Sequence, residues 1–273
     1  MEPTTAFVLG GGGVLGAAEV GMLRALIERG VRPDLVVGTS VGALNGLAIA
    51  ARPDQSAVEA LTETWSSLQA RDVFSSTVVG QISNLVRSGT HLHGNSSLSQ
   101  LVTRAAGDVR IEDLPIRFQC VAACIEEAGA HWFDSGPATE AVLASCAVPG
   151  LLPPVRIGDR HYMDGGLVAS VPIGRAAELG AERIFVLQVG RLERPLRVPS
   201  RPWDVALVAF EIARRHQFAD DMKRMPEGVE MHLLPSGAGI PSVSRRYRRR
   251  ARLGGRIDAA YEASCSYLDR VMG

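Results

Sequence analysis

The 273-residue chain reads as an α/β protein, with a mainly parallel central sheet and helices on both of its faces. Three observations lead there. Short apolar runs such as "AFVLG", "PDLVVG" and "ERIFVLQVG" have strand length and lack polar alternation, as strands buried on both faces do. Helical patterns stand between these runs over about the first 190 residues, an order that calls for crossovers in a parallel sheet. Glycines cluster where the first two strands pass into helices.

Each element has its own signal. After "AFVLG", Val20, Leu23, Leu26 and Ile27 recur at helical spacing from Gly16 onward, with Arg24, Glu28 and Arg29 supplying the polar face. Gly30 is placed to end that helix. "PDLVVG" predicts a second strand, and "SVGALNGLAIAA" a small-residue helix stopped before Pro53. A further helix over 56–69 puts Val58, Leu61, Trp65 and Leu68 on one face. Residues 71–99, rich in Ser, Thr, Gly and Asn, read as a cap or an irregular excursion. Strands return at "IRFQCVAACI" and "AHWFD", followed by a helix over 138–146. "VRIGDRHYMDGGL" predicts a hairpin turning at Gly158-Asp159, and a helix over 173–179 precedes the last core strand.

The expected core is therefore 7–190. Residues 191–273 form a mainly helical C-terminal extension packed on the core or trailing from it, with one helix over 205–225.

Composition excludes several function classes. The 29 basic residues balance 29 acidic ones, so no overall field draws the protein to nucleic acid. Cys120, Cys124, Cys146 and Cys265 match neither zinc-site spacing nor a disulfide framework and are expected to be buried thiols. "MEPTTAFVLGG" has no basic stretch ahead of its apolar residues, so no signal peptide is expected and the expected location is cytoplasmic. The weakly polar stretch at 35–51 falls short of the ~20 apolar residues a bilayer span needs.

The chemistry is carried by three short motifs. Gly11, Gly13 and Gly16 satisfy G-x-G-x-x-G between a strand and a helix, where a dinucleotide loop would stand. That use requires an acid at the end of the second strand, and this strand ends "VVGTS", its only acid, Asp34, lying at the beginning. The strand leads instead into G-x-S-x-G, from Gly38 to Gly42. This motif permits a sharp turn that lifts Ser40 above the sheet at a helix N-terminus, although Ser40 could also be an ordinary N-cap. Parallel strands bring both loops to one edge, so the amides of Gly11, Gly12 and Gly13 can receive the oxygen of a tetrahedral intermediate.

A serine nucleophile needs a base. Among six histidines, only His216 and His232 fit an order Ser, acid, His, and neither stands at a turn. His91 and His93 read as polar loop residues or metal ligands, the former preferred. Asp164 in "MDGGL" ends a short strand ahead of Gly165 and Gly166, which can hold its carboxylate rigid and uncovered; a plain Asp-Gly turn is the alternative.

"GGGGVLG", "GTSVG" and "DGG" in this order resemble the patatin-like phospholipases, as do "AEVGMLRAL", "GALNG" and "ASCAVPGLLPPV". The resemblance covers 7–190. It implies a three-layer sandwich of the patatin type and a Ser-Asp dyad in which Ser40 attacks and Asp164 acts directly as base. It implies an oxyanion hole at Gly11 to Gly13 and hydrolysis of fatty acyl esters through an acyl-enzyme, with no metal or cofactor. Two positions depart from the pattern: Leu15 replaces a common Arg or Lys, and Glu19 a common His. The first favours a simple carboxyl ester or neutral lipid over a phospholipid.

"RRYRRRARLGGR" at 245–256 offers Arg245, Arg246, Arg248, Arg249, Arg250 and Arg252 for peripheral contact with an anionic membrane, or a solvated basic face. No nucleic acid is expected there, since only Tyr247 interleaves an aromatic. The alternatives to an esterase are a catalytically weak lipid-binding or regulatory protein and a Ser-His-Asp α/β-hydrolase.

Overall fold

The computed structural model describes residues 3–70, 96–189, 195–196, 198–199, 202–237 and 251–272. Eight strands form one sheet, in the order β5-β6-β3-β2-β1-β7-β8 with β4 paired to β3. They are β1 (Thr5–Leu9), β2 (Leu35–Thr39), β3 (Arg117–Cys124), β4 (Gly129–Phe133), β5 (Val155–Ile157), β6 (Arg160–Asp164), β7 (Arg183–Leu187) and β8 (Glu230–Leu233). From β3 through β2, β1 and β7 to β8 every pairing is parallel; β4, β5 and β6 add antiparallel pairs at the β3 side. The expected hairpin is β5–β6.

The helices are α1 (Ala17–Glu28), α2 (Val41–Ala51), α3 (Gln55–Ala70), α4 (Ser96–Ala106), α5 (Ala138–Ser145), α6 (Ile173–Glu178), α7 (Pro202–Lys223) and α8 (Ala251–Val271). Strand alternation explains how they form two layers. Phe7, Leu9, Val36, Phe185 and Leu187 point into one apolar cluster with side chains of α1, α2, α3, α4, α5 and α8. Their neighbours Ala6, Val8, Leu35, Val37, Ile184 and Val186 point into the other, with Ile173 and Ala176 of α6 and Phe218 of α7. All five residues of β1 and of β2 are buried, as the unalternated runs predict.

The structure departs from expectation in two places. Residues 96–99 open α4 and so belong to a helix; the rest of the expected cap, 71–95, lies outside the described residues. The C-terminal extension supplies α7 and α8 but also β8, hydrogen-bonded to β7, so the sheet continues past residue 190. Among the described residues no helix is long and apolar enough to cross a membrane.

Candidate active site

Sheet register brings Ser40 and Asp164 together from 124 residues apart. β2 lies along one edge of β3 and ends at the pair Thr39–Val121; β6 takes up the same edge at the next residue, with Asp164 opposite Ala122. β4 occupies the other edge. β2 runs parallel to β3 and β6 antiparallel, so their C-terminal ends face each other. Ser40 comes directly after one end and Asp164 closes the other.

The turn at Ser40 is strained. Its φ is 54° and ψ −124°, a conformation that costs a non-glycine residue on the order of 1–3 kcal/mol. Its N–H donates to Ser145 Oγ at 2.8 Å, and its carbonyl accepts the first α2 bonds from Ala43 and Leu44. The flanking glycines serve close approach: a methyl on Gly42 would run into the Leu9 carbonyl, and one on Gly38 would stand 2.7 Å from Ala43 Cα. The Ser40 side chain makes no capping bond. Instead its hydroxyl donates to Asp164 Oδ2 at 2.6 Å.

Asp164 is 1% exposed, and its Oδ1 accepts the Gly166 N–H at 2.7 Å. Burial pushes its carboxyl up to about 6, while the Ser40 hydroxyl, the Gly166 N–H and the Arg214 charge pull the other way. At neutral pH the group is mostly ionised and can take a proton from Ser40. The segment before the hairpin braces both partners: Ser145 holds the Ser40 N–H, and the Ala147 carbonyl accepts the Asp164 N–H at 2.9 Å. The buried Cys146 thiol is pushed far up, first by burial and then by Asp164, so it stays protonated.

The glycine loop stands against this pair, and a Cβ on Gly11 would lie 3.4 Å from Ser40 Cβ. Here the structure changes one expectation. The Gly11 N–H already donates to the Ser170 carbonyl at 2.9 Å, so it is not a free oxyanion donor. The N–H groups of Gly12 and Gly13 have no partner among the described residues, as befits the start of the short 3-10 helix Gly13–Gly16. Gly16 lies just behind, its carbonyl accepting from Asn45 Nδ2 at 3.0 Å; the same amide donates to buried Glu19 at 2.7 Å, and Trp65 donates to Asn45 Oδ1. Glu19 thus ties the start of α1 to α2, its carboxyl held well above the usual range by burial.

A cleft of about 100 Å³ is lined by Gly11, Gly12, Gly13, Ser40, Asp164 and Gly166, with apolar walls from Leu15 and Val148. Glu211 and Arg214 of α7 complete it. These two and Ser145 carry no sequence signal. An i,i+3 Glu–Arg pair looks alike on a buried and an exposed helix face, and Ser145 has no spacing relation to Ser40 that betrays the contact.

Among the described residues no histidine reaches Ser40. His216 is largely exposed and faces Asp220 at 3.4 Å. His232 stacks on Phe185 and meets Glu230 at 2.8 Å and Tyr267 at 3.2 Å. His131 packs on Phe133 and Tyr162, and His161 pairs with Glu126. His91, His93 and Arg245 to Arg250 lie outside the described residues, as does the side chain of Arg252.

Comparison with known proteins gives the family. Residues 7–177 match the family described as patatin-like phospholipase. The chain is 34% identical over 188 residues to the patatin-like phospholipase domain-containing protein ZK370.4 of Caenorhabditis elegans, a match covering 68% of this chain and 14% of that protein. It is 31% identical over 189 residues to lysophospholipase nte1 of Neurospora crassa, covering 68% and 12%. Human patatin-like phospholipase domain-containing protein 6 gives 31% over 189 residues, covering 68% and 13%. The chain thus spans a small part of the length of these relatives. Among solved structures, VipD from Legionella pneumophila aligns with 99% of this chain and 67% of its own, at 15% identity and a TM-score of 0.48.

Proposed function

The chain belongs to the patatin-like phospholipase family, and on that premise we propose that it is a serine acyl hydrolase cleaving fatty acyl carboxyl esters. The observation that carries this is the 2.6 Å bond from the Ser40 hydroxyl to Asp164 at the strained turn, in a cleft walled by the glycine loop.

Ser40 Oγ attacks the ester carbonyl carbon while its proton passes to Asp164 Oδ2, and the carbonyl π electrons move onto oxygen. Gly12 and Gly13 donate to that oxyanion, which supplies charge stabilisation in a water-poor site. As the intermediate collapses, the leaving alkoxide takes the proton from Asp164 and the acyl group stays on Ser40. Water then attacks the acyl-enzyme, giving its proton to Asp164, and Ser40 departs with that proton.

The substrate carries an uncharged or weakly charged head. Leu15 makes the wall beside the glycine loop apolar, and the guanidinium of Arg214 is bonded to Glu211 and to the Gly11 carbonyl, leaving it poorly disposed to grip a phosphate. The test is hydrolysis of a monoacylglycerol, a lysophosphatidylcholine and p-nitrophenyl esters of short and long acyl chains by wild type and Ser40→Ala. Ser40-dependent turnover favouring the monoacylglycerol is expected. A lysophospholipid turned over faster than the monoacylglycerol would refute the head-group assignment, and equal rates for wild type and Ser40→Ala would refute the hydrolase.

A further inference from the structure

Arg214 lies outside the matched residues 7–177, yet it is 4% exposed and lines the cleft with Ser40 and Asp164. Burying a guanidinium costs free energy unless its donors are satisfied. Here each of its three nitrogens has a partner: Nη1 donates to the Gly11 carbonyl, and Nε and Nη2 donate to the two oxygens of Glu211 at 3.1 and 3.3 Å. The fork on Glu211 fixes the guanidinium plane, and that plane fixes the bond to Gly11.

The bond to Gly11 bears on the neighbouring amide. The Gly11 carbonyl and the Gly12 N–H are opposite ends of one planar trans peptide unit, so they point in opposite directions. Gly11's own N–H is held by Ser170. The unit is thereby held at its own carbonyl by Arg214, and the unit before it is held by Ser170, which leaves the Gly12 N–H as the unpartnered group among the described residues. A charge-assisted bond to the carbonyl also draws electron density toward oxygen and strengthens the N–H as a donor.

The geometry points to Arg214 as a positioning residue: by gripping the Gly11 carbonyl it orients and polarises the Gly12 N–H as the leading donor to the oxyanion, so that helix α7 completes the active site. This role rests on the acyl-hydrolase function proposed for the chain. Glu211 serves as the anchor that keeps the guanidinium in place.

The test uses the full chain and p-nitrophenyl butyrate with wild type, Ser40→Ala, Arg214→Gln, Arg214→Lys and Glu211→Gln. Two inhibitors accompany it: an alkyl trifluoromethyl ketone, which Ser40 converts to a tetrahedral adduct bearing an oxyanion, and the matching alcohol, which forms none. Losing an oxyanion donor outright costs about 100- to 1000-fold in kcat; mis-setting one should cost about 10- to 100-fold in Arg214→Gln, with KM within about threefold. The ketone should weaken by the same factor and the alcohol hardly at all. Arg214→Lys, which keeps the charge but on a single donor nitrogen without the fork to Glu211, should fall between.

Wild-type turnover by Arg214→Gln, or a loss of kcat with unchanged ketone affinity, overturns the proposal while leaving the hydrolase intact. Should Arg214→Gln fail to fold, Glu211→Gln decides: a smaller loss of kcat matched by the ketone supports it, and unchanged values for both overturn it. Absence of Ser40-dependent turnover in the wild type overturns the hydrolase and this inference together.

Discussion

Asp164→Asn should remove activity and, at alkaline pH, strengthen the fold. The carboxyl is held at about 6 against an ordinary value of 3.8, chiefly by burial. Below about pH 3.8 folded and unfolded chains both bind the proton, and the site contributes no penalty. Between 3.8 and 6 the folded protein keeps a proton the unfolded chain has lost, so stability falls as pH rises. Above that window the full cost is present: a rise of about two pH units at about 1.4 kcal/mol each is about 3 kcal/mol. Asn is never charged, yet its amide can still donate to Ser40 Oγ and its oxygen can accept from Gly166. Loss of the counter-charge to Arg214 trims the gain. At about 2–4 °C per kcal/mol for a large domain, the variant should melt about 4–8 °C above wild type at about pH 8. Differential scanning fluorimetry from mildly acidic to mildly alkaline pH should show the gap widening. A gap independent of pH, or an Asn variant less stable under alkaline conditions, would refute the view that Asp164 is a buried carboxyl whose ionisation costs the fold stability.

The same geometry carries other expectations. In wild type, kcat/KM should rise with pH through an acid limb at about 6, because the ionised form of Asp164 is the base; a rate that ignores pH across that limb would oppose the role. Ser145→Ala leaves the Ser40 N–H buried without its acceptor, so stability should drop by about 1–3 kcal/mol in urea titration, with kcat lowered as the turn relaxes. A neutral outcome would mean that the bond does not hold the turn. Gly42→Ala drives a methyl into the Leu9 carbonyl and should cost several kcal/mol, read as loss of soluble protein or a large fall in Tm.

Much of the fold is written in local patterns. The strands β1, β2 and β7 are short unalternated apolar runs, and α1 and α3 carry clear helical periodicity, so their positions can be read from burial alone. Ser40 and Asp164 are legible because glycines crowd them where strands end. The start of α4, "SSLSQ", hides behind serines, which weaken helical propensity and scatter the apolar spacing. β8 is four residues long beyond a charged connection, and only pairing with β7 makes it a strand. The Gly11 amide shows another limit. A glycine loop announces that amides are uncovered by side chains, but which of them is already bonded depends on Ser170, a residue far along the chain. Arg214 is illegible for the same reason, since its burial is decided by how α7 packs on α6 and on the short turn Gly165–Leu167.

The central claim is that Ser40, activated by Asp164, is the nucleophile. Its most direct test is reaction of wild type, Ser40→Ala and Asp164→Asn with a fluorophosphonate, followed by intact-mass measurement and peptide mapping. A single adduct per wild-type chain, mapped to Ser40, is expected, with none in Ser40→Ala and much slower labelling in Asp164→Asn. A stoichiometric adduct on another residue, or ester hydrolysis that survives in Ser40→Ala, would contradict the claim.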